Sequence, residues 1–224
     1  MRYYFKVFIG SFSQIIFFGI LLFGPGRTLN WPEAIVLISV YSILQVICIT
    51  YMAIYTPRSL ESRMSNYIPR TGLDQIATPL LWLSLIIWMV FNPIDVFYLN
   101  LFSPPTTELK YLGLFLFVLG YLLILLTMIQ NEFAAPTVLT SSEQKVIDSG
   151  LYSIIRHPMY SSLAIWCLGI SLWLESYLGC ILVIILIPPV LFRIYIEENE
   201  LINELDGYSE YIKKVKYRLI PYIF

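Results

Sequence analysis

Six apolar segments separated by polar connections run along the chain. They cover approximately residues 7–23, 34–55, 76–99, 111–129, 160–174 and 177–196. A helix needs on the order of 20 residues, and at least about 17, to cross the hydrocarbon core of a bilayer. The first four segments satisfy this length, whereas the fifth is short and Glu175-Ser176 joins it to the sixth by a tight turn. We predict an all-α polytopic membrane protein with about six transmembrane helices, the last two forming a hairpin.

Prolines and glycines mark where these helices should bend or end. Pro93 lies near the end of the third segment, and Pro188-Pro189 lie inside the sixth. Because proline lacks an N–H group and clashes with the preceding turn, we expect a kink at Pro188-Pro189. After Pro93, the last turns of the third segment should either bend or run along the membrane interface. The tail should form a helix to about residue 205, break at Asp206-Gly207, and form a second amphipathic helix to about residue 215.

Composition agrees with a membrane protein and excludes some partners. Hydrophobic residues make up 58% of the chain and charged residues 13%, and the charges cluster between apolar segments, as in polytopic membrane proteins. The formal net charge of −1 leaves no basic surface for nucleic acid. Cys48, Cys167 and Cys180 lie inside apolar segments without CxxC spacing, so we expect buried thiols and neither disulfides nor metal ligands.

The basic residues are divided unequally between the two sides of the membrane. If both termini and the second and fourth connections share one side, twelve of the 14 basic residues lie there, and only Arg27 and Lys110 lie opposite. The positive-inside rule makes the basic side cytoplasmic. We therefore expect an integral, multi-pass protein with both termini in the cytoplasm, in a bacterial inner membrane in preference to the endoplasmic reticulum. No small-residue cleavage site follows the first segment, so this segment should stay as a helix.

The chemistry-bearing residues concentrate around the only histidine. The connection 130–159 is long and polar, and long ordered loops are disproportionately functional. It ends at Arg156-His157-Pro158, where Pro158 suits the first position of a helix and the residue before a proline is excluded from the α region. His157 should therefore cap this helix, where the peptide dipoles disfavour positive charge. We expect a fixed, neutral imidazole tied to the backbone at the membrane surface, and connection 56–75 should add a cytoplasmic loop with some interfacial helix.

The end of the sixth segment carries an arginine and four glutamates. At 3.6 residues per turn, Arg193, Glu197, Glu200 and Glu204 share one face, which we expect to be solvated and partly neutralised by Arg193. Glu198 lies instead with apolar residues, and a carboxylate there must find a partner or a ligand. The two possibilities for Glu198 are a ligand and a structural salt bridge, for which Arg156 is the candidate.

Several classes of enzyme lack support in the sequence. It contains no GxGxxG, Walker loop, HExxH or His/Cys cluster suited to zinc, so no metal is expected. A Ser–His–Asp triad would have to use His157, and no GxSxG elbow accompanies it. Hydrolase and metalloenzyme functions are therefore disfavoured.

Five short motifs in the C-terminal half are specific in combination. They are Gly150-Leu-Tyr152, Arg156-His-Pro-x-Tyr160, Glu197-Glu198, Tyr208-Ser-Glu-Tyr211 and Ile220-Pro221. In this order and spacing they resemble the isoprenylcysteine carboxyl methyltransferase family, most of all its bacterial members, with phospholipid N-methyltransferases as relatives. The resemblance covers about the last ninety residues.

The resemblance implies S-adenosylmethionine as cofactor and a set of site residues. Arg193 and Glu198, five positions apart, match the family's acceptor-facing arginine and cofactor-facing glutamate. The other implied cofactor contacts are Gln144, Lys145, Val146, Ile147, Tyr152, His157, Pro158, Met159 and Tyr160. Two departures concern the acceptor: the loop between Leu205 and Tyr208 is about one residue shorter than the family's Phe-Gly-x-x-Tyr, and Gln144 stands where the family has a histidine.

Methyl transfer is an in-line displacement that depends mainly on alignment and desolvation. A carboxylate acceptor needs an orienting cation, for which Arg193 is suited, whereas an amine acceptor must lose a proton, for which His157 is suited. The resemblance favours the carboxylate, because Arg193 matches the family's acceptor-facing position and the cap should keep His157 neutral. The acceptor would be a lipophilic or lipidated substrate surrounded by membrane lipid. Residues 1–130 would form an N-terminal four-helix membrane region, and residues 131–224 the cofactor-binding loop, the helical hairpin and a cytoplasmic amphipathic tail.

Two other functions are compatible with parts of the sequence. Sterol-reductase relatives share a comparable arginine–histidine–proline–x–tyrosine pattern and bind NADPH, whose 2′-phosphate needs arginines; connection 130–159 offers only Lys145 and Arg156. A transporter would place charges near the bilayer midplane, whereas the charges here lie at segment ends or in connections. Both functions are therefore less favoured than methyl transfer.

Overall fold

The computed structural model describes residues 2–65, 72–133 and 144–224, and every regular element in these ranges is helical. The helices are α1 (Arg2–Gly26), α2 (Pro32–Tyr55), α3 (Pro57–Ser65), α4 (Asp74–Ile94), α5 (Thr107–Gln130), α6 (Pro158–Trp173), α7 (Tyr177–Leu182), α8 (Ile187–Glu204) and α9 (Tyr208–Lys214). A π-helical turn, Asp95–Leu99, extends α4, and 3₁₀ turns form at Gly150–Ser153 and Val183–Leu186. The predicted all-α fold is confirmed, and α3 supplies the helix expected within connection 56–75.

Five ranges in the described part of the chain are long and apolar enough to cross a membrane. They are Val7–Gly26, Pro32–Tyr55, Asp74–Leu99, Thr107–Gln130 and Tyr177–Glu204. The remaining predicted segment forms α6, which has 16 residues. At ~1.5 Å per residue this helix is about 24 Å long, shorter than the roughly 30 Å of hydrocarbon core. Five of the six predicted segments thus reach spanning length in this polytopic membrane protein.

Helices α5 and α6 pack antiparallel with their backbones in close contact. A Cβ atom at Gly169 of α6 would lie 2.7 Å from backbone carbons of Leu116 and Phe117 on α5. A Cβ atom at Gly120 of α5 would in turn lie 2.7 Å from the Cα atom of Trp166 on α6. Small residues allow this approach, which in lipid favours association through packing. The α5–α6 pair is therefore a rigid platform for the loop that joins the two helices.

The sixth apolar segment is divided where the prolines require a break. A 3₁₀ turn at Val183–Leu186 separates α7 from α8, and Pro188 and Pro189 occupy the first turn of α8. Their missing N–H groups have no intrahelical partner in that turn, so they cost little there. The α-helical geometry is thus interrupted by the 3₁₀ turn just before the prolines. Pro93 stays inside α4, which then widens into the π-helical turn.

One hydrophobic core joins the N-terminal helices to the C-terminal hairpin. Its fully buried side chains include Leu22 of α1, Leu37 of α2, Trp88 of α4, Phe117 of α5 and Ile170 of α6. The packing of α6 against α1, α2 and α4 through this core fixes where the start of α6 lies. The position of His157, the residue before α6, follows from it.

The tail forms the predicted break and second helix. α8 ends at Glu204, and Gly207 has φ +85°, a left-handed conformation that glycine adopts without strain. α9 then folds back on α8, so that Tyr208, Tyr211 and Val215 form a small buried cluster with Val146 and Leu201 packed against it. This cluster attaches the segment before Gly150 to the tail.

Candidate functional site

The start of α6 places His157 as predicted, but its side chain has a different partner from the one expected. His157 is the N-cap residue, with φ −125° and ψ 60°, and Pro158 follows at the first helical position. The ring makes no hydrogen bond to the helix backbone. Its Nε2 atom lies 3.2 Å from Glu198 Oε1 and its Nδ1 atom 3.9 Å from Glu197 Oε2. The expectation of a ring tied to the backbone was wrong, because two carboxylates of α8 lie within reach and are stronger partners than amides.

Glu198 is at the centre of a buried ion cluster. Its carboxylate is 5% exposed, and its Oε1 atom accepts a hydrogen bond of 2.7 Å from Arg156 Nε. Its Oε2 atom accepts two hydrogen bonds from Arg218, of 3.0 and 2.8 Å. The salt bridge to Arg156 that the sequence left as an alternative is therefore present. Arg156, His157 and Arg218 together surround both carboxylate oxygens.

The segment after α9 completes this cluster through its backbone. Arg156 donates from one guanidinium nitrogen to the carbonyls of Val215 and Lys216, each at 2.8 Å. The backbone N–H groups of Arg156 and His157 donate to the carbonyls of Tyr217 and Arg218. A buried guanidinium needs several acceptors, and this pairing supplies them. The backbone that carries the imidazole is consequently fixed by hydrogen bonds to the segment after α9.

Arg193 lies in a second buried ion pair and not on a solvated face. It is 4% exposed and donates to Asp74 Oδ1 at 2.8 Å, and also to the hydroxyl of Thr78. Thr78 itself donates to Asp74. The expectation that Arg193 neutralises a solvated glutamate stripe was wrong, because the start of α4 packs against α8 and presents Asp74 to it. Glu200 is half-buried and Glu204 exposed, so only the end of the stripe faces solvent.

Tyr160 links the two ion pairs. Its hydroxyl accepts a hydrogen bond of 2.9 Å from Arg193 Nε and donates to Glu197 Oε2 at 3.2 Å. The Glu197 side chain is 31% exposed and also lies beside His157. A continuous polar path therefore runs from Asp74 through Arg193, Tyr160 and Glu197 to His157.

The predicted site residues between Gly150 and Tyr160 differ in how deeply they are buried. Gly150 has φ +59°, and its Cα packs directly on the Gln130 side chain at the end of α5, which also accepts a hydrogen bond from Leu151 N–H. Tyr152 is buried and its carbonyl accepts from the Tyr211 hydroxyl at 2.7 Å. Burial raises the pKa of Tyr152 to about 12, so it is a neutral phenol at physiological pH. Pro158 is buried, while Met159 and Tyr160 are half-buried.

The four predicted residues before Gly150 lie nearer the tail. Gln144, Val146 and Ile147 are half-buried and Lys145 is exposed. An open groove of about 280 Å³ runs between this segment and α9, lined by Val146, Asp148, Gly207, Glu210, Tyr211 and Lys214. Lys214 donates to Asp148 at 2.7 Å across it, and this hydrogen bond lowers the pKa of Asp148. The groove lining includes one of the predicted cofactor residues, Val146, and neither His157 nor Glu198.

Sequence reasoning missed four residues of the site. Asp74 and Thr78 on α4 hold Arg193, Arg218 holds Glu198, and Tyr211 holds the Tyr152 backbone. Asp74 could have been recognised as an acid at the start of an apolar segment, because acidic side chains are stabilised at a helix N-terminus. Nothing in local periodicity connects it to Arg193, which is 119 positions away. Among the described residues, no group of three or more His, Cys, Asp or Glu side chains is placed to hold a metal ion.

The fold and site define an integral-membrane, all-helical protein with a buried ion cluster where its helices α4 and α6 begin. Residues 109–206 match the sequence model of a family described as phospholipid methyltransferase, which is just under half of the 224 residues. The match spans α5 to α8 and includes His157, Arg193 and Glu198. It supports a relationship to the broader group of membrane methyltransferases and does not single out the isoprenylcysteine family. No curated protein matches the chain.

Proposed function

We propose that the protein transfers a methyl group from S-adenosylmethionine to the polar head of a lipophilic acceptor in the membrane. The observation that carries this proposal is the buried cluster of His157, Glu197 and Glu198 at the start of α6, inside the region that matches the methyltransferase family. The cluster combines a histidine and two carboxylates with the Tyr160 ring, which supports a site for both a water-soluble cofactor and a membrane-embedded acceptor.

The residues fit the cofactor chemically. It supplies an electrophilic methyl group on a sulfonium, together with a ribose diol and an adenine ring. Glu198 can accept hydrogen bonds from hydroxyl or amino groups, and Tyr160 presents an aromatic ring 6.0 Å from the His157 ring, suited to a sulfonium or to adenine. Gln144, Lys145, Val146, Ile147, Tyr152, Pro158 and Met159 would complete the pocket, as the family resemblance implies.

Arg218 is the partner of Glu198 that can leave most easily. Its side chain is 42% exposed, against 4% for Arg156, and both of its hydrogen bonds go to Glu198 Oε2. Because its side chain is already partly solvated, Arg218 can exchange the carboxylate for water at a lower cost than the buried Arg156. Movement of Arg218 would give the cofactor access to Oε2, while Arg156 keeps Oε1 in place.

The geometry favours an amine as methyl acceptor. Arg193 is already paired with Asp74, so the positive charge that would orient an acceptor carboxylate is already neutralised. Glu197 has no arginine partner within ion-pair distance among the described residues, and it lies beside His157. A carboxylate next to a histidine suits an ammonium head group, since Glu197 can hold the charge and His157 can take the proton. The deprotonated nitrogen then accepts the methyl group as the carbon–sulfur bond breaks. The name of the matched family points the same way, to a phospholipid.

A carboxylate acceptor, including an isoprenylcysteine, is the second candidate because the motif order resembles that family. An NADPH-dependent reductase is less well supported. Of the two cations that could hold the 2′-phosphate, Arg156 is buried against Glu198 and only Lys145 is exposed.

Calorimetric titration of the purified protein tests the cofactor. We expect S-adenosylhomocysteine to bind and NADPH not to bind. Glu198→Gln should weaken S-adenosylhomocysteine binding roughly 30-fold, the loss of about 2 kcal/mol in hydrogen bonding to a charged group, whereas Glu200→Gln should change it less than twofold. Arg218→Gln should bind several-fold more tightly, because it removes a competitor for Oε2. NADPH binding, or equal losses from Glu198→Gln and Glu200→Gln, would contradict the proposal.

The acceptor is tested by methyl transfer in vesicles. With radiolabelled S-adenosylmethionine, we expect label in an amine phospholipid and less in a prenylated cysteine. His157→Asn should lower the rate with the amine roughly 100-fold or more, the contribution of a positioned general base. Label found mainly in the carboxylate substrate, at a rate that His157→Asn leaves unchanged, would favour the second candidate.

A further inference from the structure

A second buried polar cluster lies at the opposite end of α4 from Asp74. It consists of Asn92 and Asp95 from α4 and its π-helical turn, Ser171 from α6, and Ser176 from the turn before α7. None of these residues is more than 4% exposed. The 21 positions from Asp74 to Asp95 correspond to about 30 Å of helix, so this Asp95 cluster is separate from the His157–Glu198 site.

Asp95 carries a carboxylate without a cationic partner. Its Oδ2 atom accepts hydrogen bonds from the Ser176 hydroxyl at 2.7 Å and from Leu178 N–H at 3.2 Å. Its Oδ1 atom is buried without a hydrogen-bond donor, and no basic side chain of the described residues lies within ion-pair distance of it. Lys110, a basic residue on that side, is bound between Glu33 and Glu175.

Two further oxygens lie in the same place without partners. The Asn92 amide donates to the Trp88 carbonyl at 2.9 Å, which fixes the orientation of the amide and directs Oδ1 away from its own helix. A Cβ atom at Gly179 would collide with this Oδ1 and lie 2.7 Å from Ser171 Oγ. Asn92 Oδ1 and Ser171 Oγ therefore meet over Gly179, and both lack a hydrogen-bond partner among the described residues.

Gly179 also connects this pair to Asp95. Its N–H group donates at 2.8 Å to Ser176 Oγ, the hydroxyl that donates to Asp95. Its carbonyl accepts from Trp88 Nε1 at 2.9 Å. Asn92 and Asp95 are three positions apart on one helix and so lie on one face. The Asp95 carboxylate, Asn92 Oδ1 and Ser171 Oγ are thus all brought close to Gly179, between α4, α6 and the start of α7.

The chemistry of these ligands indicates a small cation. Carboxylate, amide and hydroxyl oxygens are hard donors, which bind alkali and alkaline-earth ions and not soft metals. An ionised carboxylate is very unfavourable in an apolar environment unless a cation balances its charge or a proton neutralises it. A water molecule would satisfy the hydrogen bonds without balancing that charge, and a divalent ion would exceed it, since Asp95 is the only acid of the cluster.

We propose that the Asp95 cluster binds a small monovalent cation of the Na⁺ class, which links the end of α4 to the α6–α7 hairpin. Asp95 Oδ1, Asn92 Oδ1 and Ser171 Oγ are its protein ligands. The site does not depend on the methyl-transfer function, because none of its residues belongs to the cofactor cluster.

Binding of ²²Na⁺ to the purified full-length protein in nanodiscs is the direct test. We expect about one ion per chain, and a melting temperature that rises by a few degrees for each tenfold increase in Na⁺ above its dissociation constant, with N-methylglucamine chloride holding ionic strength constant. Asp95→Asn should fold, because an amide can still accept from Ser176 and can donate to Asn92, and it should lose both responses.

Glu175→Gln is the matched control, since it removes one acid from the same turn without touching the cluster, and it should keep both responses. Three results would overturn the proposal. The wild type could bind no Na⁺ and show the same melting temperature in Na⁺ and N-methylglucamine. Asp95→Asn could retain Na⁺ binding. Finally, Ca²⁺ alone could bind, in which case the site would be divalent.

Discussion

The two buried arginines near the site are satisfied in different ways. Arg156 combines one carboxylate with two backbone carbonyls of the tail, so its position depends on the fold of residues 215 and 216. Arg193 depends on side chains, with Asp74, Thr78 and Tyr160 as acceptors. Breaking a buried ion pair by removing one partner is more costly than removing both, because a buried charge is left uncompensated. Arg193 is therefore the arginine whose pairing can be measured by exchanging side chains.

A double-mutant cycle on Asp74 and Arg193 tests this pairing. Asp74→Asn and Arg193→Gln should each lower the free energy of unfolding by about 3–5 kcal/mol, and the double variant should lose at least about 1 kcal/mol less than the sum. Chemical denaturation in detergent is the measurement. Asp148→Asn, which removes one partner of the exposed Asp148–Lys214 pair, is the control and should leave stability unchanged. Strictly additive losses would show that Asp74 and Arg193 are not coupled.

At the scale of elements, the packing of α5 against α6 determines how far His157 lies from the loop that precedes it. The start of α6 carries His157, and the end of α5 carries Gln130, which holds Gly150 and Leu151. Any change in the separation of the two helices would move the imidazole relative to the loop. The close glycine contacts along the pair set that separation.

Gly169→Ala should therefore separate the two helices. Its Cβ atom would overlap the α5 backbone, which cannot move as a flexible side chain would. We expect a loss of about 2 kcal/mol or more in stability and a larger loss of methyl-transfer activity than of folded protein. Gly24→Ala in α1 is the matched control, because a Cβ atom there meets nothing within 4 Å. It should be neutral or stabilise by up to about 1 kcal/mol. Equal melting temperatures for the two variants would contradict the packing described.

Across the whole molecule, the sequence predicted best those features that depend on the residues of a single helix or turn. The apolar segments, the cap at His157, the burial of Glu198 and the break near Gly207 all follow from local patterns and are present. The partners of Arg193 and Glu198 do not, because Asp74 and Arg218 are brought to them by tertiary packing. The prediction that Glu198 lies on the apolar face of α8 was right. The burial of Arg193 on another face of α8 is due to packing against α4, which the periodicity of α8 alone cannot show.

The orientation of the whole chain is a prediction from its charge distribution. With Cys180 replaced by Ala and Cys48 and Cys167 buried, single cysteines at Ser103 and Ser209 report the two sides of the membrane. Both positions are exposed. In intact cells, a membrane-impermeant maleimide should label Ser103→Cys and not Ser209→Cys, which should react only after the membrane is permeabilised. Labelling of Ser209→Cys from outside would reverse the predicted topology.

The backbone pairing between residues 156–157 and 217–218 has a consequence for biosynthesis. At roughly 5–20 residues per second, several seconds separate the synthesis of His157 from that of Arg218. During that interval α6 and α8 can enter the bilayer, but Arg156 lacks its carbonyl acceptors and Glu198 lacks Arg218. The nascent chain therefore reaches the membrane before the ion cluster around Glu198 is complete, and this cluster is assembled only after residues 215–218 have left the ribosome.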